Sequence, residues 1–443
     1  MISRSPCTVT QPVAVSVRAV STAQGVSPRA VARRGNRRIA ARGRGGGVAE
    51  IAGVASIGPL HLPLPGPEPY RAVGGPDAGP GGGRGRAQRG RAARTVTGEY
   101  NSWVNQPTAS PTGAAPLRTA LDTLLAELPA REATRAVERL ITTYRGRIPT
   151  AAPVLRDRPD VAAYAAYRMP ATFEAARTAL AALAAAAPGW TPASHTDVGG
   201  GTGAATWATA ATWAGPRDVT VLDWAQPALT LGAEIAAANP ALRTARWQRA
   251  RIGAELVLAP TDLVTVSYVL GELTEEDRTA VVAAAADAAQ AVVVVEPGTP
   301  EGYARVLEAR RALLAAGFRV LAPCPHDLAC PIVPGADWCH FSARVSRSSL
   351  HRQVKGGSLG YEDEKFSFVA AVRFPGSPAA ARVVRRPQIR KGQVLLELCG
   401  ADGALRRETV TKRHGPLYRS ARDTDWGDAW PPPAEDGERS GKD

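Results

Sequence analysis

The pattern of apolar positions separates a leading region without periodicity from a body that alternates helices and strands. Residues 1–98 show no sustained period of 3.6 or 2, whereas leucines recur at helical spacing across residues 116–147. Two amphipathic helices, broken by a proline, are predicted there. Residues 159–187 continue the helical pattern, which Pro170 interrupts, and Thr172 is the predicted N-cap of the helix that follows.

From residue 196 onward, short valine-rich runs alternate with longer alanine-rich runs. The predicted strands are residues 196–198, 219–223, 263–268, 291–296, 318–321 and 366–374. The predicted helices are residues 204–214, 225–239, 275–290 and 304–317. This alternation predicts an α/β fold with a doubly wound parallel sheet. Two or three further short strands across residues 382–412 predict a small β extension.

Five regions follow from this reading of the chain. They are a disordered tail at residues 1–98, a helical N-terminal domain at 110–190, an α/β domain at 191–375 with an insertion at 324–365, a C-terminal β extension at 376–430 and a loose tail at 431–443. No run of about 18 apolar residues interrupts the pattern, so no membrane span is predicted.

Charge changes the picture only for the tail. The chain has 54 Lys and Arg against 40 Asp and Glu, a formal charge of +14. Residues 1–98 contribute 15 Arg and three acids, so about +12 belongs to the tail and about +2 to the other 345 residues. An Arg/Gly-rich RNA-binding arm, an organelle transit segment and an over-extended translation start are three explanations for this tail that remain open.

A glycine-rich loop lies between the first strand and the first helix of the α/β region. It runs from Asp197 through Gly199 and Gly201 to Gly203, and Asp223 closes the next strand 20 residues later. Glycines let a ligand approach the backbone, and an acid in that place accepts hydrogen bonds from a ribose. A dinucleotide and S-adenosylmethionine both fit, and a glycine turn without a ligand is the alternative.

The loop resembles motif I of the class I methyltransferases, with a leading Asp and the spacing D-x-G-x-G-x-G. The strand at residues 263–268 runs into Ser-Tyr-Val-Leu-Gly-Glu. That segment lacks the Asn/Asp-Pro-Pro-Tyr/Phe tetrad of amino-methyltransferases, and no cysteine nucleophile follows it. No catalytic residue is therefore assigned.

Four cysteines form the second constellation. They are Cys324, Cys330 and Cys339, with gaps of five and eight residues, and Cys399 after a gap of 59. Dense thiolates suit a soft metal, but the gaps match neither the usual zinc spacing nor ferredoxin runs. Buried free cysteines are the alternative, and His326 and His340 are further candidate ligands. Because the insertion follows a predicted strand, it should emerge on the same side of the sheet as the glycine loop.

Basic residues concentrate toward the C-terminus. The candidates for phosphate contact with folded RNA are Arg352, Lys355, Lys412, Arg413 and Arg422. A solvated charged face explains the same residues equally well.

These segments together resemble the methyltransferase-like family of mitochondrial small-ribosomal-subunit assembly factors, which includes bacterial members. The matching stretches are residues 167–173, 197–203, 221–223, 324–341, 362–368 and 412–428. The resemblance covers about residues 115–430, and its most specific parts are the cysteine segment and residues 362–368.

The resemblance implies a class I methyltransferase fold that binds S-adenosylmethionine, and a [4Fe–4S] cluster on the four cysteines, with zinc as the alternative. It implies the small ribosomal subunit and its rRNA as partners of a monomer. The expected compartment is a bacterial cytoplasm, or a mitochondrial matrix if the source is eukaryotic. A catalytically active rRNA methyltransferase and a small-molecule methyltransferase with a zinc site are the other functions that fit.

Overall fold

The computed structural model describes residues 114–125, 135, 157–347 and 360–432. All of them fall in one compact unit, residues 96–443. The predicted tail at residues 1–98, most of the second predicted N-terminal helix and the final residues from 433 lie outside the described residues. Among those that are described, no helix is both long enough and apolar enough to cross a membrane.

Helices precede the sheet, and one predicted boundary is wrong. The first three are α1 (Ala115–Leu125), α2 (Arg158–Tyr167) and α3 (Met169–Ala186). Asp157 caps α2, since its carboxylate accepts a hydrogen bond from the Asp160 N–H at 2.9 Å. The helices break at Arg168, so Thr172 is not an N-cap but a buried residue inside α3. Pro170 stands in the first turn of α3, where its missing N–H breaks no helical bond.

The body is an eight-stranded sheet. Its strands are β1 (Ser194–Val198), β2 (Asp218–Asp223), β3 (Arg246–Arg249), β4 (Thr261–Ser267), β5 (Ala289–Pro297), β6 (Arg319–Ala322), β7 (Phe341–Ser346) and β8 (Tyr361–Val372). The order is β3-β2-β1-β4-β5-β8-β6, with β7 also paired to β8. Strands β1 to β5 are parallel, whereas β8 is antiparallel to β5, β6 and β7. The predicted doubly wound α/β fold is confirmed, with one reversed strand.

Helices cover both faces of this sheet. They are α4 (Ala204–Thr212), α5 (Gln226–Ala236), α6 (Glu275–Ala288) and α7 (Pro300–Ala315). In β5, alternate valines pack against opposite layers: Val293 and Val295 belong to the cluster that includes α2 to α5, and Val292 and Val294 to the cluster that includes α6 and α7. A strand that is buried on both faces has a continuous run of apolar residues, so β5 could be predicted from the sequence.

Two strands of the sheet, β3 and β7, lack a continuous apolar run and were not predicted from the sequence. The edge strand β3 reads Arg-Trp-Gln-Arg and is mostly exposed, so it has no apolar alternation. Strand β7 alternates buried and exposed residues over only six positions, directly after the cysteine segment.

The predicted C-terminal β extension is a second, antiparallel sheet. It contains β9 (Ala381–Val383), β10 (Gln388–Arg390), β11 (Gln393–Gly400), β12 (Leu405–Thr411) and β13 (Ala429–Trp430). The helix α8 (Pro416–Asp423) lies between β12 and β13 in the chain. Val394, Leu396 and Leu398 of β11 alternate into its small core, against which Leu417 and Tyr418 of α8 pack. Alternation fixes which face of β11 is buried, and it sends Cys399 to the opposite face.

Candidate functional site

The glycine loop lies at the crevice that the topology creates. Strands β1 and β4 are neighbours, and the strand order reverses between them, so a ligand crevice is expected beyond their carboxyl ends. Gly199, Gly201 and Gly203 all adopt positive φ angles, +66°, +55° and +85°. A Cβ at Gly199 would meet Val269 at 2.5 Å, and one at Gly203 would meet Trp247 at 2.6 Å. The loop therefore requires glycine at these positions, as its conformation and its packing both dictate.

Asp197 supports this loop from beneath. One carboxylate oxygen accepts hydrogen bonds from the Thr206 N–H at 3.1 Å and the Thr206 hydroxyl at 2.9 Å, and the other accepts from the Thr265 hydroxyl at 2.8 Å. Complete burial raises the pKa of Asp197 to about 6, although these hydrogen bonds oppose the rise. The side chain thus ties β1 to the first turn of α4 and to β4.

A buried histidine, which the sequence did not single out, extends this network. The Nε2 atom of His195 lies 2.8 Å from the Thr265 hydroxyl. Because that hydroxyl donates its proton to Asp197, it accepts from His195, which therefore carries its proton on Nε2. Burial, helped by the charge of Arg217, lowers the pKa of His195 to about 3. The imidazole is neutral in the folded protein.

Asp223 lies on the other side of the crevice, at the end of β2. Its carboxylate accepts hydrogen bonds from the Gly201 N–H at 2.9 Å and the Ala225 N–H at 2.7 Å. Burial raises its pKa, and the two N–H groups oppose that rise. Each oxygen keeps a second lone pair, which a ribose hydroxyl can use. The structure thus brings the predicted acid into direct contact with the predicted loop.

A polar cluster lies beside β4, at the same edge of the sheet. The Tyr268 hydroxyl donates to Glu364 at 2.9 Å, and the Arg168 guanidinium donates two hydrogen bonds to the same carboxylate, at 2.9 and 2.7 Å. The cluster joins the α2–α3 junction, the end of β4 and the start of β8. These residues are 196 positions apart at their widest, so local patterns gave no sign of it.

The four predicted cysteines line one pocket. Cys324, Cys330 and Cys339 come from the connection between β6 and β7, and Cys399 comes from β11 in the C-terminal sheet. All four are free thiols. Because β6 runs parallel to β5, this connection begins at the carboxyl edge of the main sheet, on the side where the glycine loop lies.

Two buried arginines, absent from the sequence-based site, line the same pocket. Arg310 donates to the His326 and Leu328 carbonyls, both at 2.8 Å, and Arg382 donates to the Pro323 and Gly427 carbonyls at 2.9 and 3.0 Å. Within the described ranges neither guanidinium is hydrogen-bonded to a carboxylate. Buried positive charge of this kind favours an anionic neighbour.

Burial raises the pKa of three of these thiols and so favours their protonated form. The pKa is raised at Cys324, is raised well above its usual value at Cys339, and is raised to about 12 at Cys399. The charge of Arg310 opposes the rise at Cys324. In the parts of the chain that the structure describes, no group of three or more His, Cys, Asp or Glu side chains has the arrangement that holds a metal ion. The metal assignment therefore stays a prediction.

The two candidate histidines differ in position. His326 Nε2 lies 3.5 Å from Cys399 Sγ, at the border of the thiol pocket. His340 instead packs between Trp338, whose ring centroid is 5.2 Å away, and Trp426, at 4.7 Å. His326 therefore contacts a predicted ligand through its ring.

The basic candidates are partly described. Lys412, Arg413 and Arg422 are exposed, together with Arg419, on the 3-10 turn at Lys412–His414 and on α8. Arg352 and Lys355 lie outside the described residues. Residues 376–432 hold eleven Lys and Arg against six Asp and Glu, so the C-terminal sheet is distinctly basic.

The strand order, its single reversed strand, the glycine loop after β1 and the acid that ends β2 define the class I S-adenosylmethionine methyltransferase fold. The family described as mitochondrial small ribosomal subunit Rsm22 matches residues 158–431, which is more than half of the chain. The chain belongs to this family.

Two relatives and one solved structure illustrate the match. The human mitochondrial ribosome assembly protein METTL17 is 30% identical over 290 residues, covering 60% of this chain and 62% of that protein. Rsm22-cox11 tandem protein 2 of Schizosaccharomyces pombe, also mitochondrial, is 29% identical over 182 residues, covering 32% and 24%. The chain thus spans less than two thirds of the length of either relative.

Magnesium protoporphyrin IX methyltransferase from Synechocystis PCC 6803, solved with bound SAH, is 14% identical with a TM-score of 0.32. The match covers 55% of this chain and all of that one. The fold assignment accordingly rests on the strand order described above.

Proposed function

We propose that the chain is an assembly factor of the small ribosomal subunit that binds S-adenosylmethionine, a [4Fe–4S] cluster and small-subunit rRNA. The observation that carries this proposal is the family match across residues 158–431, because that range includes both the crevice and the thiol pocket. The human relative is named as a ribosome assembly protein. Both predicted compartments, a bacterial cytoplasm and a mitochondrial matrix, contain ribosomes, and the two relatives are named as mitochondrial.

The crevice fits S-adenosylmethionine through its backbone and one acid. A Cβ at Gly201 would meet only Asp223 within 4 Å, at 3.8 Å, so the middle of the loop is open to a close ligand. Asp223 would accept the ribose hydroxyls, and the loop backbone would face the methionine part. When bound, the cofactor supplies an electrophilic methyl group. The segment after β4 lacks the tetrad of amino-methyltransferases, so cofactor binding is proposed for this crevice and no catalytic residue is assigned to it.

The thiol pocket is the proposed site of the cluster, because buried positive charge lies beside its four cysteines. These cysteines line one pocket, although no group of three or more described His, Cys, Asp or Glu side chains is arranged to hold a metal ion. A [4Fe–4S] centre spreads its four cysteine ligands around a larger body, and with four thiolates it is anionic. Arg310 and Arg382, both buried at the pocket, supply the matching positive charge.

The C-terminal sheet supplies the proposed rRNA contact. Its exposed cations cluster on α8 and the turn that precedes it, where Lys412, Arg413, Arg419 and Arg422 lie within 11 residues. Within the described residues no ion pair is recorded for any of these four. Cations without acidic partners favour phosphate contacts, which read the shape of folded RNA.

The proposal is tested by sedimentation of the full chain with ribosomal particles from its source cells. We expect the chain to migrate with immature small subunits and to be absent from assembled ribosomes. Migration as free protein, or with large subunits alone, would contradict an assembly function on the small subunit. A parallel assay with labelled S-adenosylmethionine should show no methyl transfer to rRNA, and a transferred label would favour the active rRNA methyltransferase instead.

A further inference from the structure

The strongest unassigned feature of the molecule is the buried guanidinium of Arg310, on α7. Only 3% of this residue is exposed. Its Nη2 atom donates to the His326 and Leu328 carbonyls, both at 2.8 Å. Its Nε atom is also buried, but among the described residues it has no hydrogen-bond partner. Because a buried donor without an acceptor is costly, the unbonded Nε indicates an acceptor that belongs to the complete site.

The acceptor that this part of the fold offers is sulfur. Arg310 lines the same pocket as the four cysteines. Burial raises the pKa of Cys324 and of Cys399, and the charge of Arg310 opposes both rises. Cys324 follows β6 of the main sheet, whereas Cys399 lies on β11 of the C-terminal sheet. The guanidinium is therefore close enough to act on thiols from both sheets.

Arg382, the other buried arginine of the pocket, is bonded differently. Its Nε donates to the Pro323 carbonyl at 2.9 Å, and its Nη1 donates to the Gly427 carbonyl at 3.0 Å. Arg382 pairs with Cys399 across β9 and β11, and its hydrogen bonds join the C-terminal sheet to the cysteine segment. The Nε of Arg382 is thus used by the backbone, and the Nε of Arg310 is left for the pocket.

A buried cation beside a redox centre has a defined effect. When a [4Fe–4S] centre takes one electron from a low-potential one-electron donor, it gains one negative charge, and no bond is formed or broken. A guanidinium that is removed from water attracts the more negative form more strongly, because its field is poorly screened. Net charge and hydrogen bonds to the sulfurs are among the factors that set the potential of such centres.

We propose that Arg310 is the counter-ion of the centre that the four cysteines hold, and that its buried charge and its unbonded Nε donor stabilise the reduced form and raise the reduction potential. This inference rests on the proposed cluster. It assigns to Arg310 a role in tuning the centre, beyond its hydrogen bonds to the backbone of the cysteine segment.

The test is the midpoint reduction potential of the full chain, purified without oxygen. Dithionite is the one-electron donor, redox mediators are present, and EPR of the reduced centre is the readout. Arg310→Gln removes the charge and keeps an amide that can donate to a carbonyl. At a fixed potential, the ratio of reduced to oxidised centre should fall at least about tenfold, which for one electron lowers the midpoint by about 59 mV.

Two matched variants separate charge from contact. Arg310→Lys keeps the charge, so its ratio should stay within about threefold of the wild-type value. Arg311→Gln removes an exposed cation at the next position of α7, and its midpoint should be unchanged because water screens that charge. Equal midpoints for the wild type and iron-loaded Arg310→Gln would overturn the proposal. A fall in Arg310→Lys as large as in Arg310→Gln would also overturn it, since a lost contact would then be the cause.

If Arg310→Gln binds no iron, pulsed EPR on the reduced wild-type chain decides. With isotope-labelled arginine, a nitrogen coupled to the centre should be detected, and it should disappear in Arg310→Lys. Absence of this coupling in the wild type, or its persistence in Arg310→Lys, overturns the proposal. A wild-type chain without iron has a different meaning, because the proposed cluster is then wrong and the inference falls with it.

Discussion

The crevice at the glycine loop and the thiol pocket lie at the same carboxyl edge of one sheet, but they are assembled from the chain in opposite ways. The crevice uses a continuous loop of glycines and one acid 20 residues further on, and its shape depends on backbone conformation. The thiol pocket uses three cysteines of one connection and Cys399 from a separate antiparallel sheet. A local site can lose its ligand and keep its fold, whereas a site that joins two sheets should lose both together.

The largest effect is expected from the residue that joins the sheets. Cys399→Ser removes the proposed cluster ligand on β11, so iron should fall from about four per chain to below about one. The C-terminal sheet should also become sensitive to protease, because metal binding and folding are coupled at such sites. Iron analysis and limited proteolysis measure the two effects. Cys7, the fifth cysteine of the chain, is not a proposed ligand, so Cys7→Ser is the control substitution. Full retention of iron in Cys399→Ser would contradict the assignment.

The crevice should respond without affecting the thiol pocket. Asp223→Asn weakens the proposed acceptor of the ribose hydroxyls, so affinity for S-adenosylmethionine should drop by about tenfold to a hundredfold, the range for hydrogen bonds to a charged group. Iron content should be unchanged. Asp218→Asn, at the exposed start of the same strand, is the matched control. Equal affinities for the two variants would remove Asp223 from the site.

The buried network beneath the crevice should make stability depend on pH. The pKa of His195 is about 3 in the folded chain and 6.5 in the unfolded chain. Between these two pH values the unfolded chain therefore binds a proton at His195 and the folded chain does not. Stability is therefore fully present above pH 6.5 and is lost as the pH falls from 6.5 toward 3.

Between pH 7 and pH 5 this loss amounts to about 2 kcal/mol of the free energy of unfolding. The raised pKa of Asp197 changes the free energy of unfolding in the opposite direction over this pH range. This effect is present in the wild-type chain and in a His195 variant alike, so the difference between the two reports on His195. His195→Gln keeps an amide donor for Thr265 and removes the titration. Denaturant unfolding at both pH values should show a smaller loss for the variant, and equal losses would contradict a neutral buried imidazole.

The smallest effect is expected at the basic surface, where charges act singly. Arg422→Gln should weaken binding to small-subunit rRNA a few-fold and reduce the slope of log affinity against log salt by about one. Arg243→Gln changes an equally exposed cation on the main sheet domain and should leave the slope unchanged. If both variants change the slope equally, the C-terminal segment is a solvated charged face that makes no specific contact with rRNA.

The sequence predicted the crevice more completely than the thiol pocket because the crevice is local. Positive φ at three spaced positions admits glycine and little else, so the loop is legible in the residue types alone. Asp223 could also be predicted from the sequence, because it is the acid that ends the next apolar strand. The network of His195 and Thr265 was not visible, because a lone polar residue in a strand looks the same whether or not it has a partner.

Long-range contacts account for the remaining differences. Nothing in the sequence distinguished Arg310 and Arg382 from the other arginines of the chain as neighbours of the cysteines. The fold brings both of them to the thiol pocket. Arg168 and Glu364 meet only because the α2–α3 junction lies against the start of β8. Thr172 was misjudged since Pro170 can open a helix as readily as it can end one.

The proposed cluster is tested most directly by an iron and acid-labile sulfide analysis, with an absorption spectrum, of the full chain purified without oxygen. We expect a brown protein with about four iron atoms per chain, all lost on substitution of the four cysteines. A colourless protein, with one zinc ion per chain or with no metal, would contradict it.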